Sequence, residues 1–342
     1  MATIREIAEK AGVSVTTVSR VLNMDETISV SDETRVNIFN IAEELDYVPR
    51  KSRKAQAETK LSEEAKEIAV VYWYNYEEEI EDPYYLSLRL SIEERAKEYG
   101  YSCHTVNAGH LTELSGKEAC IIMLGRFTAE FTDGLKSRCD KIIVVDNDLR
   151  PSEFDHACAD FGTAATEVME YLYELGHKNI VHLGGRIYNP ATNWENFEDA
   201  RDTAYENFMR KKGIYDESRV WDIGPYSIRG AYKFVTEKLS QGDIPTAIFA
   251  SSDNLAIGAY RAISEAGLRI PEDISVVSFN DQPNAKYMAP PLSSVKIPTK
   301  YIGYAAVDLF NDSERMPREF SKVSLIHYTF KKRKSCGPAR KN

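Results

Sequence analysis

Residues 11–23 read AGVSVTTVSRVLN and carry an unusual outer face for a short helix. If Val18, Val21 and Leu22 face inward, the outer face presents hydroxyl and amide groups instead of the Glu and Lys of an ordinary solvated face. Such groups donate to phosphates, small methyl-bearing side chains contact thymine, and Arg20 can hold guanine O6 and N7. The face therefore suits the reading of DNA in the major groove. The alternative is that the Ser and Thr residues only cap and cover a small helical subdomain.

Two flanking helical patterns would position this face. Ahead of it, apolar residues recur at helical spacing until Gly12 interrupts them. Behind it, Ser31 is a good N-cap for a third helix. The residues we expect this helix to bury are Val36, Phe39, Ala42 and Leu45. Two short helices joined by a tight turn and braced by a third predict a helix-turn-helix headpiece over residues 1–49.

Composition and charge limit the class of protein. The net charge of −10 argues against a protein coated in nucleic acid, but residues 47–60 hold five Lys/Arg against Glu58 alone, a local basic segment that suits DNA. The five cysteines show no CxxC spacing, which predicts neither a zinc site nor a disulfide framework and is typical of a reducing cytosol. The N-terminus MATIREIAEK has no apolar signal core, and the longest apolar run, IAVVYWY, is too short to cross a bilayer. We therefore expect a cytoplasmic protein without a membrane partner.

From Ile68 onwards, apolar runs alternate with amphipathic helices. The clearest predicted strands are IAVVYWY, ACIIML, KIIVVD, NIVHLGG, TAIFAS and ISVVSFN. Helices are predicted to begin near Thr163, Asp199 and Asp253. This alternation predicts an α/β protein with parallel sheets. About 270 residues are many for one such sheet, which favours two lobes with a cleft between them.

These patterns together resemble the lactose/galactose repressor (LacI/GalR) family. The resemblance is carried by IREIAEKAGVSVTTVSRVLN in the headpiece and, in the same order as in the family, by ELGHKNIVHLGG, ASSDNLAIGAYRAISEAGLRIPEDISVVSFND and PPLSSVKI. It covers nearly the whole chain and implies a two-lobed, periplasmic-binding-protein-like (type I) effector domain. The stretch EDPYYLSLRLSIE is similar to the galactose-regulator branch.

The resemblance also implies domain boundaries. A hinge or linker over residues 50–67 follows the headpiece, and the effector-binding and dimerisation domain spans residues 68–331. Within it, one lobe takes about 68–161 and 292–319, and the other about 162–291 and 320–331. Residues 332–342 remain as a basic tail.

The family's DNA contacts map onto the headpiece position by position. Val15, Thr16 and Arg20 match base-reading positions. The positions that match phosphate contacts are Thr3, Ser14, Thr17, Ser19, Asn23, Ser31, Thr34 and Tyr47.

The hinge departs from the family pattern. Family members continue Tyr-x-Pro into A-R-x-L, whose leucine wedges into the minor groove and holds a bend. Here Arg53 and Lys54 are followed by Ala55, a smaller wedge. We therefore expect weaker kinking, with the basic side chains compensating through phosphate contacts.

The resemblance implies an effector site in the cleft, where polar groups bind sugar hydroxyls and tyrosines cover the apolar sugar face. The matching positions are Tyr84, Tyr85, Asp160, Arg201, Tyr226, Ser252 and Asn280. Ser252 and Asn280 stand where another family member has an asparagine and an aspartate, so the exact sugar stays open. The alternative is that Arg201 and Asp160 form an internal ion pair and that the tyrosines are half-buried core.

These features predict a sugar-responsive transcriptional repressor that binds double-stranded operator DNA as a homodimer and releases it when galactose or a galactoside fills the cleft. The alternatives are a corepressor-dependent regulator of the same family, a stand-alone sugar-binding protein and, more distantly, a sugar-modifying enzyme. The six histidines form no metal-spaced cluster and no G-x-S-x-G motif is present. We therefore expect no catalysis, no metal and no cofactor.

Overall fold

The computed structural model describes residues 3–22, 28, 30–45, 47, 66–74, 79, 82–146, 153–186 and 199–340. The chain divides into two compact units, Met1–Ala65 and Lys66–Asn342.

Among its described residues, the first unit contains three helices. These are α1 Ile4–Ala11, α2 Val15–Leu22 and α3 Asp32–Glu44. Gly12 ends α1 in the left-handed conformation (φ 66°), and its N–H donates to carbonyls of the last turn. Ser14 then caps α2, because its Oγ accepts from the Thr17 N–H at 3.0 Å. The tight turn between two short helices confirms the predicted helix-turn-helix.

The buried face of α3 differs from the one predicted. Val36 is 57% exposed and Phe39 37% exposed, while Ile38 and Ile41 enter the core beside Ala42. The predicted residues are spaced three apart, and three residues of an α-helix turn through about 300°, which is about 60° short of a full turn. Successive residues at this spacing therefore point in different directions and cannot all face the core. Ile38, Ile41 and Ala42, with Leu45 packed against the core, share one narrow face.

The second unit contains twelve strands among the residues described. They are β1 Glu67–Tyr72, β2 Ser102–Asn107, β3 Cys120–Leu124, β4 Ile142–Val145, β5 Asp155–Ala159, β6 Ile180–Arg186, β7 Val220–Pro225, β8 Ala247–Ala250, β9 Ser275–Asn280, β10 Ser293–Lys296, β11 Val323–Ile326 and β12 Thr329–Lys331. All six strands predicted from the sequence are present.

Helices alternate with these strands. They are α4 Pro83–Glu98, α5 Ala129–Lys136, α6 Phe161–Glu174, α7 Ala200–Lys211, α8 Ile228–Ser240, α9 Asp253–Glu265 and α10 Thr299–Arg315. The predicted helix starts near Thr163, Asp199 and Asp253 are confirmed. Short 3₁₀ turns lie at Ala108–Glu113, Glu217–Arg219 and Ala285–Tyr287.

The strands form two sheets. The first has the order β11-β5-β4-β3-β1-β2 with parallel neighbours throughout. The second has the order β12-β10-β9-β8-β6-β7, and only β12 runs antiparallel to its neighbour. The central strands are apolar on both faces, as expected where helices cover both sides. This is the predicted two-lobed α/β architecture.

After residue 291 the predicted lobe boundaries are wrong for two strands, whereas α10 and β12 lie in the lobes predicted for them. Strand β10 pairs with β9 in the second sheet, not the first, and β11 pairs with β5 in the first sheet, not the second. Helix α10, between them, packs on α4 of the first lobe. The chain therefore crosses between the lobes three times. The sequences of the short strands SSVK and VSLI do not indicate which of the two sheets each strand joins.

The predicted basic tail is part of the second lobe. Ser335 is fully buried, and its Oγ donates to the Val276 carbonyl at 2.6 Å and accepts from the Ser293 N–H at 2.7 Å. Arg333 pairs with Asp281, with 2.7 Å between Nη1 and Oδ1. Residues 332–342 were predicted to be a tail because they are rich in Lys and Arg. Small polar residues in the same segment, such as Ser335, pack it on the second sheet.

Candidate functional sites

The outer face of α2 presents the predicted DNA-reading residues. Val15 is 40% exposed and Thr16 is exposed, while Arg20 is half-buried at the other end of the helix. Val18, Val21 and Leu22 are buried, as predicted. The exposed side chains at the N-terminal end of this helix are therefore small and uncharged. Their methyl groups can contact the methyl groups of thymine.

Several hydroxyls predicted to contact phosphate also hold the helices together. Thr3 forms a capping box with Glu6, in which the Thr3 N–H donates to Glu6 Oε2 at 2.7 Å. Ser14 Oγ lies 2.8 Å from Thr17 Oγ1. Ser31 and Thr34 repeat this pair at the start of α3, also at 2.8 Å. Each pair keeps hydroxyl oxygens at the N-terminus of a helix, a place where N–H groups attract phosphate.

Of the remaining residues predicted to contact DNA, two are described by the structure and four are not. Ser19 is half-buried on α2, and Tyr47 packs against the headpiece core. Asn23, Arg53, Lys54 and Ala55 lie outside the described residues, as does nearly all of the predicted hinge.

The second unit contains a cavity of about 120 Å³ between its two sheets. Its lining side chains follow the carboxyl ends of parallel strands, the usual ligand position in such sheets. The lining residues are Trp73, Tyr74, Glu79, Asp82, Tyr84, Tyr85, Arg126, Asp146, Phe161, Arg201, Pro225, Tyr226, Ser252, Asn254 and Asn280. The cavity thus brings together six of the seven predicted effector-binding residues.

A buried ion cluster forms the second-lobe side of the cavity. Asp199 caps α7, and its carboxylate accepts from Arg201 Nε at 2.9 Å and from Arg201 Nη2 at 2.6 Å. Arg126 of the first lobe donates to the same carboxylate at 2.8 Å. Burial would raise the pKa of Asp199, but the two guanidinium groups hold that pKa well below its ordinary value.

Arg201 is fixed on every side. Beyond Asp199, its Nη1 donates to the Ser251 carbonyl. Its guanidinium carbon lies 4.9 Å from the centre of the Phe161 ring and 5.7 Å from that of Phe279. Among the described residues, hydrogen bonds engage three of the five guanidinium N–H groups, and the other two can donate to a ligand.

Aromatic rings form the first-lobe side. Tyr74 and Tyr85 stack with their centres 5.2 Å apart, and Trp73 meets Tyr85 edge-on at 5.9 Å. The buried indole N–H of Trp73 has no hydrogen-bond partner among the described residues. Aromatic faces of this kind cover the apolar face of a sugar ring, and the free N–H can donate to one of its oxygens.

Two carboxyl groups lie among these rings. Tyr84 Oη donates to Asp146 Oδ1 at 3.0 Å, and Asp82 Oδ1 accepts from the Tyr84 N–H at 3.1 Å. Burial raises the pKa of both carboxyl groups, although Arg126 opposes the shift at Asp146 and the Tyr84 N–H opposes it at Asp82. Each retains oxygen lone pairs that can accept from sugar hydroxyls.

Asp160 is the predicted effector residue that the cavity does not include. Its side chain caps α6 and accepts from the Thr163 N–H at 3.1 Å, and the neighbouring Phe161 lines the cavity instead. The alternative ion pair between Arg201 and Asp160 is also wrong, because Arg201 pairs with Asp199. Asp146, at the end of β4, provides the carboxylate expected from Asp160.

The other predicted positions lie in the cavity wall. Ser252 is 2% exposed and caps α9, and Asn280 ends β9 in the left-handed conformation (φ 99°). The prediction missed Trp73, Arg126 and Asp146, each of which lies within two residues of the end of a buried strand. That position alone could have identified them.

The described residues contain neither a candidate metal site nor a candidate membrane span. They contain no cluster of three His, Cys, Asp or Glu side chains that could hold a metal ion. They also contain no helix that is both long and apolar enough to cross a membrane.

Comparison with family models gives two matches. The model of the bacterial regulatory proteins of the lacI family matches residues 3–50. The model of the periplasmic binding protein-like domain matches residues 169–336. The two matches fall in the two separate units of the structure.

The chain is also similar to curated regulators over nearly their whole length. The chain is 36% identical over 330 residues to the HTH-type transcriptional regulator GalR of Streptococcus thermophilus, covering 95% of this chain and 97% of that protein. It is 32% identical to the regulator GanR of Bacillus subtilis (strain 168), again over 95% and 97%. Among solved structures, the lac repressor dimer bound to operator and the anti-inducer ONPF has a TM-score of 0.70 at 23% identity, over 98% of this chain and 99% of that one.

Proposed function

The chain belongs to the lacI family of bacterial regulatory proteins, and we propose that it is a transcriptional repressor whose operator affinity is lowered by galactose or a galactoside. The observation that carries this proposal is the cavity, where a fixed guanidinium group, buried carboxyl groups and aromatic faces surround one space. This set suits an uncharged ligand rich in hydroxyls and poor in apolar surface.

On the DNA side, we propose that Val15, Thr16 and Arg20 contact base edges. The exposed methyl-bearing ends of Val15 and Thr16 and the guanidinium of Arg20 are the groups that such contacts need. The hydroxyls of Ser14, Thr17, Ser31 and Thr34 then contact phosphates at two helix N-termini. Contacts by Asn23 and by the hinge residues Arg53, Lys54 and Ala55 remain predictions from the sequence.

On the effector side, the names of the relatives favour a galactoside. Two regulators called GalR, at 36% and 31% identity, and GanR cover at least 95% of this chain. We propose that the sugar hydroxyls bind Arg201 and Asp146, with Tyr226 on the second-lobe side and Trp73 on the other. The sugar is bound and released unchanged, without catalysis, metal or cofactor.

The assembly follows from the DNA target. A near-palindromic operator matches a protein with two-fold symmetry, so we propose a homodimer that presents two headpieces to one operator. Its place of action is the compartment that holds the bacterial chromosome, the cytoplasm. Sugar and operator must favour different states of the dimer, with a coupling of about 1–3 kcal/mol.

The test is operator binding measured by fluorescence anisotropy at one fixed salt concentration, because affinity for DNA depends steeply on salt. The labelled DNA is the region upstream of the protein's own gene, and galactose, lactose, glucose and a purine are titrated in turn. The Arg20→Ala variant is the control for the DNA side, since it keeps the cavity intact.

We expect galactose or lactose to release the DNA from the natural protein, and Arg20→Ala to bind the DNA poorly with or without sugar. Tighter DNA binding with any ligand would instead establish a corepressor-dependent regulator. The corepressor-dependent alternative is supported by the purine repressors named PurR, which are also relatives of this chain, at 28–31% identity. DNA binding that ignores all four ligands would refute the proposed effector.

A further inference from the structure

Trp73 and Gly125 are neighbours at the ends of two parallel strands of the first lobe. The register of β1 and β3 pairs Tyr72 with Leu124, so the next residues along the two strands stand side by side. Side chains at paired residues project from the same face of a sheet. A side chain at residue 125 would therefore compete with the indole of Trp73 for space on that face.

The indole occupies the space that a side chain at residue 125 would need. A Cβ added to Gly125 would overlap Nε1 of Trp73 and would lie 2.8 Å from Cδ1 of the same ring. Both contacts are too close, because carbon atoms in van der Waals contact stay about 3.5–4.0 Å apart. The same Cβ would lie 3.5 Å from Cε1 of Tyr85, which is an ordinary contact. Among the described residues, the conflict is therefore with Trp73.

The backbone at Gly125 is held in place by its neighbours. Its N–H donates to the Val145 carbonyl of β4 at 3.0 Å, and its φ of 100° lies in the region that favours glycine. The next residue, Arg126, donates to the carboxylate of Asp199 in the other lobe at 2.8 Å. A conflict at residue 125 would therefore be relieved by movement of the indole and not of the backbone.

We infer that Gly125 is a positioning residue of the effector site, because the absence of a side chain there allows the indole of Trp73 to form part of the first-lobe wall. The inference rests on the proposed function in one respect, that the cavity binds a sugar. Gly125 is not among the residues that line the cavity, so it acts through Trp73.

The place of the indole decides what the first-lobe wall offers a ligand. Nε1 of Trp73 is buried and has no hydrogen-bond partner among the described residues. A buried donor without a partner is unfavourable, and a ligand oxygen that accepts from it removes that cost. The ring also meets Tyr74 and Tyr85 edge-on, each with 5.9 Å between ring centres. In the place that Gly125 allows, Trp73 therefore provides both an N–H donor and part of an aromatic wall.

A side chain at residue 125 would move the indole out of this place. A ring that turned into the cavity would fill part of the ligand space, and a ring that turned away would remove the donor and the aromatic contact. Both movements lower the affinity for sugar. Calorimetry on the full chain should therefore show galactose affinity at least about tenfold lower in Gly125→Ala, the combined worth of one hydrogen bond and one aromatic contact.

Gly116→Ala is the matched control for backbone strain. Gly116 also has a positive φ, 75°, but no described atom lies within 4 Å of a Cβ added there. It lies in the turn before β3 and is not among the residues that line the cavity. Alanine is strained at both positions, and only at residue 125 does it meet Trp73. We expect Gly116→Ala to bind galactose as the natural protein does.

A double variant separates an effect on Trp73 from an effect on Arg126. Trp73→Ala removes the ring that conflicts with the added Cβ, so in that background Gly125→Ala should change galactose affinity by less than about twofold. A tenfold loss in both backgrounds would mean that the substitution acts through the backbone and Arg126, and it would overturn the inference.

Thermal unfolding of the same four proteins gives a readout without ligand. Gly125→Ala should lower the Tm more in the natural protein than in Trp73→Ala, because only the natural protein contains the conflict. If Gly125→Ala alone does not fold, recovery of folding in the double variant supports the inference. An equal loss of Tm in both backgrounds, or a double variant that also fails to fold, contradicts it.

A further measurement follows the indole itself. The chain contains three tryptophans, so protein labelled with ¹⁵N-tryptophan gives three indole N–H signals, and the one that Trp73→Phe removes belongs to Trp73. Gly125→Ala should speed the exchange of this proton with water, since the N–H is buried only in its present place. Gly116→Ala should leave the exchange rate unchanged.

These spectra do not depend on the sugar. If galactose and lactose fail to bind the natural protein, the proposed function fails, and the exchange rate still decides whether Gly125 positions Trp73. An exchange rate of the Trp73 proton that is the same in Gly125→Ala and in the natural protein rules out the positioning role.

Discussion

On the first-lobe wall of the cavity the hydrogen bonds that Asp82 and Asp146 accept from described residues come from neutral donors, whereas on the second-lobe wall Arg201 is bound to the carboxylate of Asp199. The first wall therefore keeps oxygen atoms available for ligand hydroxyls. The second offers N–H donors whose charge is already balanced. Together they can bind a polyol without requiring it to carry charge.

The two walls also differ in how their contacts are distributed. The second wall depends on one guanidinium group that is bonded to Asp199 and Ser251 and packed on two rings. The first wall spreads its contacts over several aromatic rings and two carboxyl groups. A single substitution should therefore do more damage on the second wall than on the first.

The largest effect is expected for Arg201→Ala. Among the described residues, it removes the one second-wall guanidinium and leaves Arg126 as the remaining ion-pair partner of Asp199. Loss of one partner of a buried charge pair costs about 2–5 kcal/mol, so galactose affinity should fall at least about 30-fold, and sugar should no longer release operator DNA. Calorimetry and anisotropy measure the two effects.

The control for this variant is Arg210→Ala on the same helix. Arg210 is 58% exposed and pairs with Glu206 on the surface, so its loss should change neither affinity nor release. Arg201→Ala binding galactose within threefold of the natural protein would refute the central role of the second wall.

An intermediate effect is expected for Asp146→Asn on the first wall. The amide keeps the size of the side chain but loses a charged acceptor, and galactose affinity should fall about tenfold. Asp160→Asn is the matched control, because asparagine caps a helix as well as aspartate and Asp160 lies outside the cavity. Calorimetry that shows the larger loss for Asp160→Asn would restore the original sequence prediction.

This pair of aspartates shows where sequence reasoning fails in the site. Both follow short strands of the same sheet, and the family pattern selected Asp160. The strand before Asp160 leads directly into α6, so its carboxyl group is used by the first turn of that helix. Asp146 follows its strand in a left-handed turn (φ 58°) that directs the side chain into the cavity. Local backbone conformation thus decides which of the two aspartates faces the cavity, and this conformation cannot be predicted from the residue types.

Other parts were predictable because the signal is local or strongly periodic. The turn at Gly12, the cap at Ser14 and the inner stripe of α2 follow from spacing and capping rules alone. The six central strands are mostly apolar, although β6 contains His182 and β9 contains Ser275 and Ser278. By contrast, strands such as SCHTVN and VWDIGP mix polar and apolar residues, and their pairing depends on contacts between distant parts of the chain.

A smaller effect is expected for Trp73→Phe on the first wall. The variant keeps an aromatic face but removes the buried indole N–H that has no partner among the described residues. Galactose affinity should fall about fivefold, and the sugar-dependent change in tryptophan fluorescence should shrink. Trp221→Phe, a change in the core of the second lobe, should leave that fluorescence change in place. A full fluorescence change in Trp73→Phe would exclude Trp73 from the ligand contact.

The smallest effect is expected at a hydrogen bond that joins the two walls. Gln282 Nε2 donates to Asp82 Oδ1 at 2.9 Å, while the Gln282 N–H is anchored on Asp253 at 2.6 Å. Gln282→Ala keeps the backbone anchor and removes the only contact that this side chain makes across the cavity among the described residues.

If this bond forms only when the lobes are close together, its loss should reduce the population of the sugar-binding arrangement. Galactose affinity should then fall about threefold, mainly through faster dissociation, as stopped-flow fluorescence would measure. Gln241→Ala, at an exposed position after α8, is the control and should leave the rate unchanged. An unchanged dissociation rate in Gln282→Ala would mean that Arg126 and Asp199 alone hold the two walls together.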